Sequence, residues 1–212
     1  MSRGLTTTTY GVLGLLAVRP YSTYELAKAM GLSVGRVWPR AESKLFEEPK
    51  KLVEHGYASA REDKVGRRPR TVYSITPAGR RALAAWLADP GKGPLLEFEG
   101  LVKLMFADHG SRDDALETIT RAKAWAVEMN VGNIATGERF ARGEGRYEER
   151  RAPTLLIGAF LTDFYALVAH WAEWAEAEVA SWPDDIANHR VSPDLTRAVL
   201  ARAKWSQSDN EA

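Results

Sequence analysis

The sequence predicts a mainly α-helical protein in two parts. A basic amino-terminal domain has three helices, a two-stranded hairpin and a closing helix; an acidic all-α domain of long helices follows. Three observations carry this reading. Apolar residues recur at spacings of three and four through most of the chain, whereas extended stretches with turn signals fall only between Tyr57 and Ile75. Asp89, Pro90, Gly91, Gly93 and Pro94 form a linker. The charge changes sign there: residues 1–90 carry 15 Lys and Arg against 8 Asp and Glu, and the remainder 14 against 20, so +7 and −6 underlie a net +1. The expected domains are residues 1–90 and 91–206, with a polar tail at 207–212.

The elements follow in order. Thr6 to Thr9 offer capping hydroxyls before Val12, Leu13, Leu15 and Leu16, and Pro20 ends this first helix. Ser22 and Glu25 have capping-box spacing and open a second helix through Leu26, Ala27 and Met30. The third is expected over residues 40–57, between Pro39 and Gly56, with Arg40, Lys44, Glu47 and Lys51 on one face and Leu45, Pro49, Leu52 and Val53 on the other. Proline inside a helix removes a donor and crowds the carbonyl four residues back, at a cost of about 3 kcal/mol, so a bend is expected between Leu45 and Pro49. The alternative is that Pro49 begins a fresh helical turn.

YASARED and TVYSITP then flank KVGRRPR, a hairpin with a basic tip, and Thr76 caps a helix that begins at Pro77. In the acidic half, helices are expected from Ser111 to about Arg142, from Thr154 to Trp182 and after Pro193.

Three short helices and a basic hairpin describe a winged helix-turn-helix with a two-stranded wing, in which the third helix enters the major groove of duplex DNA. Arg40, Ser43, Lys44 and Lys51 supply donors for base edges and phosphates, and Lys64, Arg67, Arg68 and Arg70 crowd the wing, where like charges repel unless an anion is near. A solvated charged face is the bland alternative.

Three segments, VLGLLAVRPYSTYELAKAM, SKLFEEPKKLVEHGYAS and GRRPRTVYSITPAGRRAL, resemble the PadR family of bacterial transcriptional regulators, closely over residues 8 to about 88 and more loosely beyond. The resemblance implies a homodimer that binds operator DNA, mostly as a repressor, with the helical carboxy-terminal region making the dimer. Phe46 stands where relatives usually carry tyrosine, and Pro49 where many carry an apolar residue other than proline.

Trp125, Phe160, Phe164, Trp171 and Trp174 are the residues expected to line either the dimer interface or a pocket for a small hydrophobic or aromatic effector. His55, His109, His170 and His189 lack paired spacing, so no metal or other cofactor is expected. The absence of cysteine excludes disulfides, thiolate sites and cysteine nucleophiles and fits a cytoplasmic location, and GVLGLLAV is too short to span a membrane. Two other classes compete. GLSVG fits the G-x-S-x-G pattern and would make Ser33 a hydrolase nucleophile, but helical sequence precedes it where a strand is needed. A helical protein-binding adaptor would leave the basic hairpin idle. The expectation is a DNA-binding regulator, not an enzyme.

Overall fold

A computed structural model describes residues 5–39, 45–65, 68–145, 150–190 and 192–203. The chain divides into two compact units, Met1–Pro94 and Leu95–Ala212.

In the first unit, α1 (Thr7–Leu16) opens with a reciprocal cap: Thr9 N–H donates to the Thr6 hydroxyl at 3.3 Å and Thr6 N–H donates to the Thr9 hydroxyl at 3.2 Å. Tyr21–Ser22 forms a two-residue strand, β1, and Ser22 also caps α2 (Thr23–Leu32), with Glu25 reaching back as its spacing predicts. A 3-10 turn follows at Val34–Arg36.

The third helix differs from the bent 40–57 expectation. Residues 40–44 lie outside the described residues, Phe46 and Glu47 form a turn, and α3 runs only over Glu48–Glu54, with Pro49 in its first turn. The fresh-start alternative holds. A proline has no amide to satisfy there and its fixed φ suits helix initiation, so a helix begins at Glu48 with Pro49 in its first turn rather than bending through it. Gly56, at φ +69°, ends the segment in the left-handed region that glycine tolerates.

The hairpin consists of β2 (Ala58–Val65) and β3 (Arg68–Ile75). β1 adds a third antiparallel strand through Tyr21 opposite Tyr73, so the sheet order is β1–β3–β2. The expected pair of strands therefore gains a neighbour that two residues could not announce in the sequence. Thr76 caps α4 (Pro77–Leu87), and Trp86 lies flat on Tyr10 at 5.0 Å between ring centroids. Val12, Leu13, Leu16, Tyr21, Leu26, Met30 and Leu52 form the core. Leu52, fully buried, contributes about 1.5–3 kcal/mol of the burial that holds α3 to α1.

The second unit contains α5 (Glu99–Met105), a 3-10 turn at Ala107–His109, α6 (Arg112–Ala141), α7 (Arg151–Ala180), a second 3-10 turn at Ile186–Asn188, and α8 (Pro193–Ala203). Ser111 and Asp114 cap α6 reciprocally, and Gly143, at φ +71°, follows its end. α6 and α7 pack antiparallel: Arg112 meets Asp184 at 2.7 Å at one end, Thr120 donates to Glu176 at 2.7 Å, and Asn133 donates to the Gly158 carbonyl at 3.0 Å towards the other. Ala115, Ile119, Ala122 and Ala126 face Leu161, Tyr165, Val168, Ala172, Ala175 and Val179, one stripe from each helix at three-and-four spacing. Asn133 is buried within the seam and also donates to the Thr162 hydroxyl at 2.7 Å.

Among the described residues α7 is the one helix long and apolar enough to cross a membrane by length and composition, and only 17% of its most apolar window is buried.

Candidate nucleic-acid interface

α3 presents its charges at the surface but roots one of them. Glu47, its N-cap residue, makes no side-chain cap bond. Glu48 is 6% exposed, and its Oε2 accepts the Thr9 hydroxyl proton at 2.5 Å while its Oε1 accepts from Lys51 Nζ at 2.6 Å. A buried carboxylate is tolerated only with such partners. Lys51, a predicted DNA donor, is therefore tied to a buried acid, which leaves its ammonium less free to neutralise phosphate.

Lys50 pairs with Glu47 at 2.9 Å, and that hydrogen bond raises the lysine's affinity for its proton. This pair is exposed on both sides and so is held weakly enough to exchange for a phosphate. Phe46 is 37% exposed at the turn before α3. Arg40, Ser43 and Lys44 lie outside the described residues.

In the hairpin, the ladder sets Asp63 opposite Arg70 and Lys64 opposite Pro69. Arg70 donates from Nε and Nη2 to Asp63 Oδ2 at 3.0 and 2.8 Å. That contact, with the Lys64 amide second, holds the Asp63 carboxyl below the usual carboxylate range. Lys64 is exposed. Arg67 and the side chain of Arg68 lie outside the described residues. Three of the basic groups near this surface, Lys50, Lys51 and Arg70, thus have carboxylates of their own. The pairing of Glu47, Glu48 and Asp63 with these cations is what the sequence reading missed, and the i,i+3 spacing of Glu47–Lys50 and Glu48–Lys51 is the signal that could have found two of the pairs.

Ser33 ends α2 with its hydroxyl donating to the Ala29 carbonyl at 2.6 Å. The element leading directly into it is helix α2 and not a strand, so the nucleophile-elbow geometry is not formed.

In the second unit Trp125 lies on α6, and Phe160, Phe164, Trp171 and Trp174 are strung along α7. Trp125 stands edge-on to Phe164 at 6.2 Å and to Tyr165 at 5.7 Å. Trp171 meets Phe98 edge-on at 6.1 Å, and Trp174 lies beneath the Arg202 guanidinium at 4.7 Å. Phe160 is 60% exposed. A surface groove of about 440 Å³ lies elsewhere, between α5 and the start of α6, lined by Val102, Leu104, Phe106, Asp114 and Thr118 among others; none of the five aromatic residues lines it. Among the described residues no group of three His, Asp or Glu side chains is placed to hold a metal ion.

Residues 12–85 match the transcriptional regulator PadR-like family. The chain is 27% identical over 192 residues to the probable transcriptional regulator Rv1176c of Mycobacterium tuberculosis, covering 84% of this chain and 94% of that one. It is 28% identical over 108 residues to the negative transcriptional regulator PadR of Bacillus subtilis, which covers 50% of this chain and 59% of that one. Among solved structures, Bacillus subtilis PadR in complex with operator DNA superposes with a TM-score of 0.70 at 20% identity, over 82% of this chain and 99% of that one. The same protein in complex with p-coumaric acid superposes at 0.64 and 20% identity, over 84% and 99%. At these identities the superpositions establish a shared fold.

Proposed function

We propose, from the premise that residues 12–85 are a domain of the PadR-like family of transcriptional regulators, that the chain is a cytoplasmic, ligand-responsive repressor that binds a palindromic operator as a homodimer. The observation that carries this reading is the unit built from α1, α2, α3 and the β2–β3 hairpin, in an excess of positive charge, on a fold shared with a regulator solved on its operator. α3 with the turn before it would read the major groove, and Lys64 with its neighbours on the hairpin would grip phosphate. The relatives are regulators rather than enzymes, and Ser33 has no place in this activity.

The dimer follows from what α7 leaves uncovered. Leu156, Phe160 and Leu167 are 75%, 60% and 62% exposed, and with Phe164 and Trp171 they fall at spacings of four, four, three and four on one helical face. A stripe of this kind is satisfied by a second copy presenting the same surface, which also supplies the second reading helix that a palindrome needs. The effector would be a small aromatic acid or similar compound, by analogy with the relative solved with p-coumaric acid, and the edge-on pair of Trp125 and Phe164 would sense it. Titration of a phenolic acid against tryptophan fluorescence tests that part.

The test of DNA binding is a titration of duplex DNA at several salt concentrations. Several phosphate contacts give a log–log slope of about −0.9 per phosphate neutralised. Failure to bind any duplex in dilute buffer would overturn the reading.

A further inference from the structure

We infer that the threonine run at the start of α1 is a positioning device for the DNA-reading helix α3, in which Thr9 holds its first turn and Thr8 holds Trp38 ahead of it; this rests on the DNA-binding reading above. Trp38 Nε1 donates to Thr8 Oγ1 at 3.1 Å, and Thr9 Oγ1 donates to Glu48 Oε2 at 2.5 Å. Trp38 lies ahead of α3 in the chain, and Glu48 is its first residue. One turn of one helix therefore holds both. Thr9 is 1% exposed and Glu48 6%, so water does not compete for the second bond.

The arrangement suits placement better than stability. Leu52 already anchors α3 through burial, which has no direction and leaves the helix free to slide or roll. An apolar residue at position 48 would hold the helix as well or better, because a buried charge pays desolvation even when paired. A hydroxyl-to-carboxylate bond of fixed length, with Lys51 Nζ at 2.6 Å on the other oxygen, instead fixes the rotation and register of the first turn. The capping pair supports it from behind: Thr6 N–H donates to Thr9 Oγ1 at 3.2 Å and the two hydroxyls lie 2.9 Å apart, so the Thr9 proton is directed outward to Glu48. Thr8, Thr9 and Glu48 are positioning residues that never need to touch DNA.

The test begins with a duplex selected from a random pool by the wild-type chain, titrated beside a scrambled duplex of equal composition at several salt concentrations. Thr9→Val keeps the shape and removes the hydroxyl. It is expected to lower the selected-to-scrambled affinity ratio roughly tenfold, the net worth of one hydrogen bond to a charged group, with the scrambled affinity and the salt slope unchanged. Thr9→Ser restores the ratio, and Glu48→Gln, which strips Lys51 of its ionic partner, lowers it too. Should Thr9→Val fail to fold, Thr8→Val carries the same comparison. Wild-type ratios in both Thr8→Val and Glu48→Gln overturn the inference, as does a proportional loss on both duplexes, which marks lost stability alone. A wild-type chain that selects no duplex sinks the DNA-binding reading itself, and is seen before any variant is made.

Discussion

Gly79→Ala is the substitution to which the first unit should be least tolerant. Gly79 sits in the first turn of α4, and a Cβ there would lie 2.1 Å from the Tyr57 carbonyl oxygen and 2.9 Å from Ile75 Cγ1. Ordinary contact begins at 3.4 Å, so the peptide must retreat by about 1.3 Å. That peptide joins α3 to β2, and its carbonyl accepts the Thr76 N–H at 3.0 Å. Thr76 in turn caps α4 through the Gly79 N–H at 3.0 Å and donates to the Gly56 carbonyl at 2.7 Å. Losing these three hydrogen bonds costs about 1 kcal/mol each, and alanine's better helix propensity returns up to about 1 kcal/mol. A net loss of about 2–3 kcal/mol lowers the melting temperature of a domain this size by roughly 10–20 °C. Thermal unfolding of the full chain by far-ultraviolet circular dichroism, with hydrogen exchange along the β2–β3 ladder to assign the transition, measures it. A ladder as protected as the wild type's and a melt within about 2 °C of it would refute the close-approach argument.

Asp63→Asn releases Arg70 from its ion pair, so the salt dependence of binding to any duplex should steepen by up to about 0.9 in slope, with affinity rising for all sequences alike; an unchanged slope means Arg70 faces no phosphate. Ser22→Ala removes a capping box worth about 1 kcal/mol. The Ser22 amide and then its hydroxyl hold the Glu25 carboxyl below the usual range, so the folded state binds the proton less readily than the unfolded chain. That part of the stability is complete above the ordinary carboxylate range and is lost as pH falls through the lowered folded value; denaturant melts of wild type and variant from pH 6 to about 3 should therefore converge. Phe160→Glu places a charge within the exposed stripe of α7 and should shift the chain to monomer in sedimentation, with the second unit's helix content intact. A dimer that survives would place the interface elsewhere.

Most elements of this fold announce themselves locally. Ser22 with Glu25 and Thr76 before Pro77 are patterns satisfied within four residues, and each stands where its pattern predicts. Failures occur where distant partners decide. β1 exists only because Tyr73 passes beside Tyr21, and nothing in two residues announces a strand. Around Pro49 the helical face pattern spans a break that proline chemistry enforces, so periodicity and propensity disagreed and propensity prevailed. In the candidate site, counting charge marked the basic half of the sequence but not the carboxylates folded against Lys50, Lys51 and Arg70. Glu48 looks like one more surface acid until α1 brings Thr9 to it across 39 positions. The aromatic residues of the acidic half were legible as a helical stripe, while the separate neighbours they meet depend on Phe98, Trp125 and Arg202 arriving from outside α7.

Among the described residues the strand order β1–β3–β2 leaves the outer side of β2 unpaired along its length, while β1 covers only Val72 and Tyr73 on the far side of β3. An unpaired margin of eight residues is a template on which another molecule's chain can add in register. Here its sequence is ASAREDKV, with four consecutive ionised side chains from Arg61 to Lys64, so an incoming copy in parallel register would set like charge against like. Charge along this strand thus opposes the growth of concentrated protein into stacked sheets.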